Sequence, residues 1–211
     1  MPQGSTCRTW KQRKRPATSD SIKRVFIIHK WGGTPGSDWY SWLKKELEKR
    51  GVSVCVPQMP DTDTPIIEYW LDYLGQEIGH PDPDTCLIGH SMGVQAILRY
   101  LSELKEGEKI GAALFVAGFI HIKEGVFSPD ETAIIRPWIE TPIDLEKAGR
   151  HSEKFVSIFS GNDPYIPIED SKIFEKELKS KILIIPKGGH FTEAAGYKEL
   201  HVALNELLKM L

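Results

Sequence analysis

The chain has no apolar run near the ~20 residues that a membrane-spanning helix needs, so no membrane partner is expected. It has no surplus of one charge either. Against 27 Lys and Arg stand 29 Asp and Glu, a net charge of -2, which argues neither for a nucleic-acid binder nor for an acidic tail, and no nucleic-acid partner is expected. Cysteine is scarce: Cys7, Cys55 and Cys86 are odd in number and lack metal-ligand spacing. Cys55 and Cys86 sit inside strand-like runs, where buried thiols behave as small hydrophobes, and this fits a reducing cytoplasm. No internal repeat is present. What remains is a chain of 211 residues, long enough for one domain with a proper core.

The first stretch, residues 1–21, differs from the rest. Arg8, Lys11, Arg13, Lys14 and Arg15 lie among Ser, Thr and Pro with almost nothing apolar. A secretory signal would follow its basic part with an apolar stretch of ~7–15 residues, and Val25-Phe26-Ile27-Ile28 is too short for that. A disordered basic extension is expected over 1–21, ahead of one domain over 22–211.

Beyond it, short apolar runs alternate with helical patterns. Strands are expected over 24–29, 52–56, 85–89, 110–117, 155–159 and 182–185. Helices are expected from Ser37 to the stop at Gly51, from a Thr64-Pro65 cap through Ile78, after Ser91, over 168–179, and over the Leu-rich C-terminus. The least regular portion, residues 118–150, reads as a modest lid-like insertion with a short helical piece at 144–148. Strands that alternate with helices imply a parallel sheet covered on both faces, with chemistry at the carboxyl ends of the strands.

The centre of the pattern is Gly89-His90-Ser91-Met92-Gly93, between an apolar strand and a helix. That order is the strand–turn–helix of a nucleophile elbow. The turn strains the serine backbone, and a Cβ at Gly89 or Gly93 would crowd the strand and the helix. Ser91 is the candidate nucleophile, with the Met92 N–H at the helix start facing a developing oxyanion. A serine hydroxyl needs an adjacent base, and His190, after the last strand, is the candidate. Asp163, after the fifth strand, is the candidate orienter of that imidazole, with Asp130 and Asp144 as weaker substitutes. The chain order Ser, Asp, His is the order of the α/β-hydrolase fold. Trp31, Trp39, Phe119, Phe127 and Trp138 are candidates for the substrate pocket, with Trp138 and Phe119 foremost; core packing explains any one of them equally well.

These residues resemble a small α/β-hydrolase of the retinoblastoma-binding-protein-9-like serine hydrolase kind. The matching pieces are the elbow, Arg136-Pro137-Trp138, Asn162-Asp163-Pro164-Tyr165-Ile166-Pro167 and Gly189-His190-Phe191, over residues 24 to the C-terminus. The resemblance implies an α/β three-layer sandwich with a six-stranded sheet in the order 2-1-3-4-5-6. It also implies serine-hydrolase activity on small ester or amide-like substrates, with no metal and no cofactor. In such enzymes the loop after the first strand supplies a second oxyanion donor, which falls on the Trp31 N–H. This chain has His29-Lys30-Trp31 where many relatives have His-Gly, and Lys30 either adds positive potential at that site or points to solvent. A carboxylesterase is the function expected. A binding protein on a hydrolase scaffold, or an acyl-enzyme that passes its acyl group to another acceptor, remains open, as does the oligomeric state.

Overall fold

The computed structural model describes residues 24–210. The expected basic extension over 1–21 lies outside them. Six strands, β1 (Arg24–Ile28), β2 (Ser53–Cys55), β3 (Thr85–His90), β4 (Ala112–Val116), β5 (Phe155–Ser160) and β6 (Lys181–Ile185), form one all-parallel sheet in the order β2-β1-β3-β4-β5-β6. Every residue of β3, β4 and β5 is buried, which is why these strands read as unbroken apolar runs rather than as alternations. The edge strand β6 is half exposed along its length.

The helices are α1 (Tyr40–Glu48), α2 (Ile67–Ile78), α3 (Met92–Glu103), α4 (Pro129–Glu140), α5 (Leu145–Gly149), α6 (Asp170–Leu178) and α7 (His201–Met210). None of those described is long and apolar enough to cross a membrane. Helices α1 and α7 pack together, while α2, α3, α5 and α6 pack in succession. Right-handed crossovers explain the division, because the chain moves one way from β1 to β2 and the other way through every later crossover. β1 pairs with both β2 and β3, so the order reverses there. A crevice opens at the carboxyl ends of strands beside such a reversal.

Three expectations change. Residues 118–150 hold a three-turn helix, α4, where only a short piece at 144–148 was expected. Ser128 opens α4 with a full capping box, its side chain accepting from the Glu131 N–H while the Glu131 carboxylate accepts from the Ser128 N–H. Pro137, which reads as a helix breaker, sits inside α4. The second helix starts at Ile67 after Ile66, with no side-chain cap, so Thr64 is not its cap. Thr64 instead closes a turn onto the Asp61 carbonyl, and the Pro65 carbonyl accepts from Trp138 Nε1 at 2.9 Å. Lastly, Cys55 is disulfide-bonded. The reading of two buried thiols therefore holds for Cys86 alone, whose thiol burial pushes up to about 12.

Candidate active site

The elbow is built by two glycines and one strained residue. Ser91, at the N-terminus of α3, has φ 53° and ψ -113°, outside the helical and extended regions. The sharp turn needs Gly89, because a Cβ there would lie 2.7 Å from the Val94 N at the start of α3. A Cβ on Gly93 would lie 2.2 Å from the Ile28 carbonyl oxygen and 2.9 Å from that of His29. Helix α3 thus starts in backbone contact with the end of β1, and the elbow and the loop after β1 face one another across the crevice. The Ser91 N–H donates to the Val116 carbonyl at 2.9 Å, which ties the turn to β4 as well.

The other two candidates meet at the ends of β5 and β6. His190 Nδ1 lies 2.9 Å from Asp163 Oδ2, with the two side chains 10% and 2% exposed. A carboxylate accepts only, so Nδ1 carries a proton, and in the neutral ring Nε2 keeps its lone pair. Asp163 Oδ1 accepts from the N–H groups of Tyr165 (2.9 Å) and Ile166 (3.2 Å), which fixes the carboxylate plane. The two loops are also joined directly: Asn162 Oδ1 accepts from the Gly189 N–H at 2.8 Å and Ser160 Oγ from the Gly188 N–H at 3.0 Å. Asp144 caps α5 through the Lys147 N–H, and Asp130 lies exposed in the first turn of α4, so neither partners His190.

The residue before Ser91 joins the elbow to this pair. The His90 ring lies 5.4 Å from the His190 ring, and His90 Nε2 donates to the His190 carbonyl at 2.8 Å. No hydrogen bond joins Ser91 Oγ to the imidazole in this structure, as is common in unliganded sites where catalytic contacts tighten only around substrate. The N–H groups of Met92 and Trp31 have no hydrogen-bond partner among the described residues. Lys30 does not add charge there: its Nζ pairs with Asp38 Oδ2 at 2.8 Å.

Two buried histidines support the crevice in neutral form. His29 Nδ1 donates to the Lys30 carbonyl at 2.8 Å, and Nε2 accepts from the Met59 N–H at 3.1 Å. Burial lowers its pKa to about 4. Burial and the neighbouring His190 hold His90 well below the usual histidine range. The sign of the stability effect follows from His29. The unfolded chain takes up its proton near 6.5 and the folded one only near 4, so stability is full above 6.5 and falls with pH through that window. Between pH 7.5 and pH 5, His29 alone should remove roughly 2 kcal/mol, with His90 acting in the same direction. Urea unfolding at the two pH values measures it, and an unchanged midpoint would contradict it.

The aromatic candidates divide. Trp138 and Phe119 are each 1% exposed. Trp138 packs edge-on against Trp70 and borders a cavity of about 80 Å³ with Gln95 and Ile120, and the Phe119 carbonyl accepts from Gln95 Nε2. The rings beside the His–Asp pair are others. Trp31 lies 5.6 Å from Phe127, Phe127 stacks on Tyr165 at 5.4 Å, and Tyr165 meets the His190 ring edge-on at 5.0 Å. Tyr165 was not singled out by sequence, because its ring acts only through partners from distant loops. The segment carrying Phe127 is pinned as well. Asp170, 1% exposed, accepts from the N–H groups of Ile120 and His121, and Lys123 Nζ donates to the Asp163 carbonyl. Among the described residues no group of three His, Cys, Asp or Glu side chains is placed to hold a metal ion.

A family model described as serine hydrolase matches residues 25–209. Among curated relatives, YdeN of Bacillus subtilis (strain 168) is 29% identical over 185 residues, covering 88% of this chain and 94% of that protein. Serine hydrolase RBBP9 of Rattus norvegicus is 26% identical over 187 residues, covering 88% and 95%. The crystal structure of the B. subtilis ydeN gene product superposes with a TM-score of 0.81 at 28% identity, covering 89% of this chain and 98% of that one. Est1E of Butyrivibrio proteoclasticus, solved with ferulic acid bound, superposes with a TM-score of 0.64 at 16% identity, covering 90% and 88%, a likeness of fold alone.

Proposed function

The chain belongs to the serine hydrolase family, and from that premise we propose that it cleaves small carboxylic esters through an acyl-enzyme on Ser91. The observation that carries the reading is the Asp163–His190 pair, which leaves a lone pair on His190 Nε2 beside the elbow. In this mechanism His190 takes the Ser91 proton as the hydroxyl oxygen attacks the ester carbonyl. Asp163 holds the tautomer and stabilises the imidazolium. The carbonyl oxygen becomes an oxyanion, which the Met92 and Trp31 N–H groups receive. His190 then returns the proton to the leaving alcohol, and a water deprotonated by the same imidazole clears the acyl group. The whole catalytic unit lies within residues 22–211, and no step calls for a metal or a cofactor.

The small-substrate reading rests on the pinned segment over residues 119–127 and on the row Trp31, Phe127, Tyr165. Stacked rings from three loops stand against one side of His190, which favours a short acyl group over a long chain. A series of p-nitrophenyl esters tests both parts. Acetate and butyrate are expected to turn over with the highest kcat/KM, octanoate and palmitate poorly, and Ser91→Ala only at the rate of the uncatalysed reaction. Equal rates for Ser91→Ala and the natural chain would refute the mechanism, and a preference for palmitate would refute the substrate class. Product analysis with methanol present separates hydrolysis from acyl transfer, and an excess of methyl ester over free acid would favour the transferase.

A further inference from the structure

One hydrogen-bond chain touches all three groups that the mechanism uses. The Lys30 N–H donates to the Tyr40 hydroxyl at 3.2 Å, and that hydroxyl lies 2.6 Å from His90 Nδ1. His90 Nε2 lies 2.8 Å from the His190 carbonyl. The directions are forced. A carbonyl only accepts, so Nε2 carries the proton of the neutral ring, and Nδ1 must accept from Tyr40. Lys30 precedes Trp31, a proposed oxyanion donor; His90 precedes Ser91; and His190 is the proposed base.

A second arm starts one residue away. Trp39 Nε1 donates to the Phe191 carbonyl at 3.1 Å. Asp38 accepts from the Glu193 N–H at 2.7 Å on one oxygen and holds Lys30 Nζ on the other. Asp38 stands at φ 50°, a left-handed conformation that costs on the order of 1 kcal/mol for a residue with a side chain. Trp39, Tyr40 and His90 are fully buried. Three consecutive residues entering α1 therefore hold the loop after β1 and the loop after β6, and one of them also holds the elbow.

We propose that Tyr40 and His90, with Trp39 and Asp38 as a second arm, are positioning residues that set the spacing of nucleophile, base and oxyanion donors. None of their hydrogen bonds is with Ser91 Oγ or the Asp163 carboxylate, so they act through the backbones of residues 30 and 190 and through the place of His90 in the chain. The inference rests on the hydrolase reading above. It adds that the geometry of the site is fixed from α1, on the opposite side of the sheet from α3.

The test uses the full chain with active sites counted by fluorophosphonate titration. Tyr40→Phe removes one oxygen and two links of the chain. It should lower kcat per titrated site about tenfold or more, since a small misplacement of reacting groups outweighs the loss of one hydrogen bond. KM should stay within about twofold, because no substrate contact is lost. Nitrogen NMR should find His90 protonated on Nε2 in both proteins, with the Nδ1 signal shifted in Tyr40→Phe because its phenol donor is gone. His90→Gln, whose amide can still donate to the His190 carbonyl, should retain more kcat than His90→Leu. This pair decides the matter if Tyr40→Phe fails to fold. Natural kcat per titrated site in Tyr40→Phe and in both His90 variants, whatever their melting temperatures, would overturn the positioning role and leave the hydrolase reading intact. Failure of the natural chain to titrate at all would overturn the hydrolase reading, and this inference with it.

Discussion

Replacing His190 by alanine should lower kcat by about 10⁶-fold, the scale set by triads whose members act as a unit. Without the imidazole the mechanism has no base, since the neighbouring histidine, His90, already uses both ring nitrogens on Tyr40 and on the His190 carbonyl. Asp163→Asn is milder and more informative. The N–H groups of Tyr165 and Ile166 both point at Oδ1, so an asparagine must keep its carbonyl oxygen there and turn its NH2 group toward His190 Nδ1. That donor accepts nothing, so the imidazole proton moves to Nε2, where the lone pair is needed. The expected loss is about 10⁴-fold in kcat with the fold unchanged. Steady-state kinetics on p-nitrophenyl acetate with circular dichroism alongside measure both, and a loss below tenfold for His190→Ala would contradict the assigned base.

Gly93→Ala should destabilise the protein by about 3 kcal/mol or more, or prevent folding altogether. The added Cβ would meet backbone oxygens of residues 28 and 29 at 2.2 and 2.9 Å, and backbone in a buried strand has no rotamer to escape into. Gly75, inside α2, gives the contrast. A Cβ there has nothing within 4 Å, so Gly75→Ala removes only the entropy that glycine loses in a helix and should stabilise by about 0.5–1 kcal/mol. Urea unfolding of the two variants compares a crowded glycine with an open one in the same protein. Similar midpoints would show that the contact between elbow and β1 is looser than this geometry.

The same contrast explains what was legible in the sequence. Strands buried on both faces write themselves as apolar runs, as β3, β4 and β5 do, and the edge strand β6 keeps the run Ile182–Ile185 although half exposed; the strand ends are off by one or two residues. The elbow was legible because Gly89 and Gly93 answer to steric limits that hold for any chain making that turn. Asp163 and His190 were singled out by their places after β5 and β6, and the structure joins them by a hydrogen bond. Helix α4 lay in the portion read as least regular, although it has a start signal, Ser128-Pro129-Asp130-Glu131, and it carries Pro137 in its interior. A proline removes one helical hydrogen bond, and here the surrounding packing tolerates it. Arg99, reaching from α3, donates to the Trp138 and Thr141 carbonyls at 2.8 Å each, which serves the end of that helix. The chain through Tyr40 and His90 left no trace in the sequence, because its links join residues 10, 50 and 100 positions apart. The direction of Lys30 was equally hidden, since only the fold brings Asp38 within reach.

Peptide mapping by mass spectrometry after reaction with a fluorophosphonate tests the central claim most directly. One phosphonate per chain is expected, carried on Ser91, formed rapidly in the natural protein and lost in His190→Ala. An adduct on another residue, or one on Ser91 that forms at the same rate without the imidazole, would contradict the account.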